Sequence, residues 1–178
     1  SDFVANKNYV VYFKSHYLPY AACETNHFRA IGDKETDFLI IGSARPERLR
    51  LYETIREIPN VKVCYINNKF RKEYIDALAS AKYVINDMAG GGQGLIPMRP
   101  FEAIAAGSSL ITPKDDGCQM LGLPCFEYSD EQDLVRLCSI LSVLPDYANP
   151  SLQKDFLSNH SYKARCQVIL DTVFPSEY

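Results

Sequence analysis

Short apolar runs alternate with segments of helical spacing along most of the chain. Asp37-Phe38-Leu39-Ile40-Ile41 reads as a strand and leads into Gly42-Ser43; from Pro46 to Ile58, Leu49, Tyr52 and Ile55 then recur at helical spacing. Val61 to Ile66 is a second strand, followed by a loop over Asn67 to Phe70. The helix predicted over Lys72 to Ala81 puts Tyr74, Ile75, Leu78 and Ala79 on one face. Tyr83 to Asn86 is a third strand and Ser109 to Thr112 a fourth. Between them a helix begins near Arg99, with Pro100 in its first turn and Gly107 at its C-terminal cap. A polar loop, Pro113 to Gly117, leads to a short strand near Pro124 to Tyr128. Helices are predicted over Glu131 to Leu144, Ser151 to Ser158 and Ser161 to Phe174.

This alternation specifies an α/β fold: a Rossmann-like three-layer domain with a mainly parallel sheet and helices on both faces. The part before residue 37 breaks the pattern. Tyr9 to Phe13 is a short strand, and the irregular stretch that follows it has too little periodicity for a long helix. Residues 1–36 are therefore read as an opening strand and connector from a missing N-terminal domain, and residues 37–178 as the folded unit.

Composition narrows the picture. With 178 residues, 47% hydrophobic and 23% charged, the chain suits one globular domain. No apolar run approaches a membrane-spanning helix. The net charge of -3, with scattered Lys and Arg, gives no footprint for nucleic acid. Six cysteines form no C-x-x-C pair, which suits reduced thiols and a cytoplasmic location. The histidines His16, His27 and His160 lie far apart without ligand spacing, so no metal site is expected.

Sheets of this kind bind ligands beyond the carboxyl ends of their strands. The most informative segment there is Ile85 to Pro113, INDMAGGGQGLIPMRPFEAIAAGSSLITP. Gly91 and Gly92 let backbone approach an anion, and the helix starting at Arg99, Pro100 and Phe101 presents unpaired N–H groups to it. No G-x-x-x-x-G-K-[ST] occurs, and Leu95 stands where G-x-G-x-x-G needs glycine, which disfavours a P-loop enzyme. The second strand ends in Asn67-Asn68 instead of the acidic residue of an NAD site.

Glu102, read as lying in the first turn of that helix, could accept both hydroxyls of a ribose. A carboxylate there also stabilises by ~0.3–1 kcal/mol through the helix dipole alone. Arg99 could pair with a diphosphate through its planar fork or with a neighbouring carboxylate. The first strand-to-helix turn adds Gly42, Ser43, Arg45 and Arg48 near a second helix start, whereas Arg50 reads as a solvated charge. Lys114, Asp115 and Asp116 read as an ordinary charged loop.

Taken in order, LPYAACETNHF, FLIIGSARPERLRL, AKYVIND, MRPFEAIAAGSSLIT, DEQDLVRL and HSYKARCQVIL resemble the C-terminal domain of GT-B glycosyltransferases, in the group of spore-maturation-protein-like enzymes. MRPFEAIAAG followed by a strand is the most specific piece. The resemblance implies that Glu102 contacts a nucleotide ribose and that the glycine loop and helix start face the diphosphate and sugar. It also implies that Arg48 and Arg99 match recurring arginines, that Asn67 lies near the base, and that the donor is a nucleotide diphosphate sugar held without metal or cofactor. An acceptor domain, in cis or on a partner chain, completes such a site. The chain departs from the E-x7-E pattern of retaining members by placing Gly94 where the first glutamate would stand. The competing reading is a non-catalytic nucleotide-binding or interaction module with the same fold.

Overall fold

A computed structural model describes residues 18–87, 96–114 and 116–174. The sheet has five strands: β1 Thr36–Ile41, β2 Val63–Ile66, β3 Ala81–Ile85, β4 Ser109–Pro113 and β5 Cys125–Tyr128. All neighbours pair in parallel, in the order β2-β1-β3-β4-β5. The connecting helices are α1 Pro46–Arg56, α2 Arg71–Ala79, α3 Met98–Ala105, α4 Asp116–Leu121 and α5 Glu131–Ser142, followed by α6 Pro150–His160 and α7 Tyr162–Val173.

The strands are nearly continuous apolar runs because both faces are covered. Phe38, Ile40, Tyr83 and Ile85 point to one face and pack with Ile55 of α1 and Leu134 and Cys138 of α5. The alternate residues Leu39, Ile41 and Val84 pack with Ile75 and Leu78 of α2 and Ala103 of α3. A third cluster joins Phe101 and Ile104 of α3 to Phe156 and Leu157 of α6. The expected Rossmann-like, three-layer, parallel architecture is the one observed.

Two local readings change. The loop expected over Pro113 to Gly117 is shorter, because α4 already begins at Asp116. Glu102 lies in the second turn of α3, since the helix starts at Met98 with Pro97 as its cap, and no acidic residue occupies its first turn. At this depth the dipole explanation for the glutamate weakens, because that effect fades within a turn. The Gly107 expectation holds: it follows the last helical residues with φ of 80°, the left-handed conformation of a helix terminator.

The connector is part of the fold. Ala22 is fully buried, bridges Ser161, donates from its N–H to the His160 carbonyl and accepts from the Tyr162 N–H. Further along, the Gln153 side-chain amide donates to the carbonyls of Arg29 (2.8 Å) and Ala105 (2.7 Å), tying connector, α3 and α6 together. The strand expected over Tyr9 to Phe13 lies outside the described residues.

Candidate functional site

In the order β2-β1-β3, the chain leaves β1 toward one face and returns to β3 from the other, so a crevice opens between the carboxyl ends of these two strands. Three charged side chains converge there. Arg48, only 4% exposed, donates from Nε and Nη2 to the two carboxylate oxygens of Asp87 at 2.8 and 2.9 Å. Its Nη1 donates to the Ser43 carbonyl. Arg99 donates from Nη1 to Asp87 Oδ1 at 2.9 Å. Two guanidinium groups thus share one carboxylate, leaving a net positive charge at the crevice. Arg99 Nε is buried and has no hydrogen-bond partner among the described residues, an unusual state for a charged donor.

Gly42, with φ of 136°, makes room for this arrangement. A Cβ there would stand 2.5 Å from Arg48 Nη1 and 2.9 Å from Arg99 Nη2. The arginine tips therefore lie directly over Gly42, the residue that follows β1, whose carbonyl accepts from the Tyr65 hydroxyl at 3.0 Å.

Beside this cluster lies a pocket of about 650 Å³, lined by Thr25, Asn26, His27 and Arg29 of the connector, Arg71, Lys72, Tyr74 and Ile75 of α2, and Glu102 of α3. The Tyr74 hydroxyl donates to Glu102 Oε2 at 2.9 Å. Burial, and then the adjacent Glu102 charge, push the Tyr74 phenol well above its ordinary range, so it remains a donor. His27 Nε2 stands 3.9 Å from Glu102 Oε1. Burial lowers the His27 pKa, partly countered by Glu102 and reinforced by Arg29. The wall also carries backbone strain: Arg71 has φ of 51°, a value that non-glycine residues seldom adopt. A second cavity, of about 220 Å³ and lined among others by Ile104, Phe126 and Leu152, sits at the amino ends of β4 and β5, away from this chemistry.

The structure brings Gly42, Arg48 and Arg99 together and sets Glu102 in the adjoining pocket. Ser43 is exposed and joins the cluster through its carbonyl. Arg45, the exposed cap residue of α1, and Asn67, exposed at the end of β2, stand apart from both. Pro100 and Phe101 are buried, and the Phe101 ring packs near Phe156, so only their backbone remains for a ligand. Gly91 and Gly92 lie outside the described residues, as do Gly94 and Asp115. Sequence reasoning overlooks Asp87, Tyr74 and His27. Asp87 could have been flagged by its position two residues past the end of β3; nothing local marks the other two. Among the described residues no group of three or more His, Cys, Asp or Glu is placed to hold a metal ion, and no helix is long and apolar enough to cross a membrane.

No protein-family model matches the sequence, and no curated protein matches it. Among solved structures, it is similar to AviGT4, a glycosyltransferase involved in avilamycin A biosynthesis, with a TM-score of 0.57 and 17% identity over 87% of this chain. The likeness is one of fold. The match spans 56% of the length of AviGT4.

Proposed function

We propose that this chain is the donor-binding domain of a metal-independent GT-B glycosyltransferase, holding a nucleotide diphosphate sugar for transfer to an acceptor. The observation that carries the reading is the pair of arginines clamped by Asp87 at the sheet's switch point, next to a pocket that presents Glu102. The cluster offers a diphosphate a net positive charge and a buried donor that has no partner among the described residues, and the pocket offers a carboxylate to a ribose diol. Fixed before the reaction, the two guanidinium groups would stabilise the charge that develops on the departing diphosphate. The fold shared with AviGT4 is consistent with this role.

Calorimetry with UDP, GDP and ADP and their sugar conjugates tests the reading. At least one should bind, and Arg99→Ala should weaken it about tenfold or more, as expected for loss of a charge-assisted hydrogen bond worth roughly 1.5–3 kcal/mol. Absence of binding across the whole panel would overturn it.

A second reading is a binding module of the same fold without turnover. Binding without donor hydrolysis or transfer by the longest native chain would support it. An acceptor domain in cis or on a partner chain is the corresponding expectation under the first reading. The surface of α7, where no residue is buried and Val168, Ile169, Leu170 and Val173 are exposed, offers it apolar side chains, joined by exposed Phe174 just past its end.

A further inference from the structure

The connector turn that forms one wall of the pocket is closed by its own histidine. The Cys23 N–H donates to His27 Nδ1 at 3.0 Å, while the His27 N–H donates back to the Cys23 carbonyl at 2.9 Å. A ring nitrogen that accepts carries no proton, so the neutral imidazole holds its single proton on Nε2, the atom facing Glu102. At 3.9 Å this proton is too far to bond the carboxylate, yet close enough to attract it once charged. Glu102 Oε2 is already taken by Tyr74. Oε1 is therefore the oxygen left for a ligand, and His27 is the side chain that competes for it.

We infer that His27 is a positioning residue for Glu102, and that the pocket accepts the diol of a nucleotide sugar only while this imidazole is neutral. Protonation acts twice in the same direction. It puts a proton on Nδ1 against the Cys23 N–H, breaking the bond that closes the turn, and it draws Glu102 Oε1 into an ion pair. The other charged and titratable groups around the ring are Cys23 and Arg29 on the connector, Arg71, Lys72, Tyr74 and Asp76 on α2, and Arg99 on α3. Asp76 is already paired with Arg29 at 2.8 Å and with Lys72, so Glu102 is the carboxylate this ring faces.

The inference rests on Glu102 being the diol contact, and two measurements keep the two ideas apart. In the ligand-free protein, long-range proton–nitrogen NMR should find His27 as the Nε2–H tautomer at pH 7.5, and Glu102→Gln should lower its pKa. An Nδ1–H tautomer, or a titration unmoved by Glu102→Gln, would refute the coupling whatever the ligand. With UDP-glucose, GDP-mannose and ADP-glucose, whose diphosphodiesters do not titrate between pH 5 and pH 8, affinity should fall below the His27 pKa, with a limiting slope of about tenfold per pH unit. His27→Gln, whose amide can still accept from the Cys23 N–H, should bind with a flat profile. A flat wild-type profile, or an unchanged slope in His27→Gln, would overturn the inference. Silence from all three sugars at every pH would instead sink the donor-binding reading and the ligand half with it, while the imidazole titration still decides the coupling.

Discussion

At Glu102 each carboxylate oxygen has a different neighbour, so substitutions around it separate into distinct effects. Glu102→Ala should abolish nucleoside diphosphate binding in calorimetry while circular dichroism stays native, because the side chain is part of a pocket wall and outside the packed clusters. A second outcome concerns acid stability. His27 and His160 are both lowered from an ordinary value of 6.5, each chiefly by burial, with Arg29 and Arg165 adding to it. The unfolded chain then binds more protons than the folded one as pH falls through 6.5, so the stability present above that pH is lost progressively down to the folded pKa values. Thermal melts from pH 7.5 to pH 5 should show a falling midpoint, and His27→Gln should reduce the fall. Glu102 is singled out in the sequence by the resemblance of MRPFEAIAAG followed by a strand, since its position alone equally fits a helix-dipole role. Asp87 is not, since one acidic residue after a strand looks the same whether it is solvated or clamps two arginines. Nothing in the sequence marks His27, because its partner is 75 residues away by sequence number and only the fold unites them.

The elements themselves were legible wherever periodicity was strong, and their ends shifted by a few residues where it was not. β2 starts at Val63 instead of Val61, and α4 begins inside the loop expected over Pro113 to Gly117. Six residues with glycine inside carry too little pattern to announce a helix. What periodicity could not supply was the meeting of β1, α1, β3 and α3 at the arginine cluster. Its energetics can be tested there. Asp87→Ala leaves Arg48 buried without its carboxylate and should destabilise the domain by about 3 kcal/mol in denaturant titration. Gly42→Ala should cost about 1–3 kcal/mol through its positive φ and the displaced arginine tips, and it should also weaken diphosphate binding. A stability near wild type in both variants would mean that the cluster rearranges freely.

For the whole molecule, the alternation of strands and helices was sufficient to specify the class of fold, because a parallel sheet covered on both faces leaves few other arrangements for such a pattern. The connector was the exception. Its residues lack periodicity, since they are held by scattered contacts to α2, α3, α6 and α7 and do not form an element of their own. Gln153→Ala removes two of those contacts and leaves the Arg29 and Ala105 carbonyls without this donor. Hydrogen exchange should then quicken across 22–31, the stretch bearing His27, with smaller changes in β1 and β3.

The Ala22–Ser161 bridge has a further consequence for the order in which the molecule matures. Everything in the arginine cluster belongs to the stretch from Gly42 to Arg99, so the arginine-lined crevice can assemble while the chain is still emerging from the ribosome. The wall carrying His27 is tied to α2 through Arg29 and Asp76, but its docking is completed only by residues that arrive with α6 and α7. Refolding should therefore gain affinity for inorganic pyrophosphate before it gains discrimination for a ribose-bearing ligand, a lag that stopped-flow measurements with the two probes can resolve.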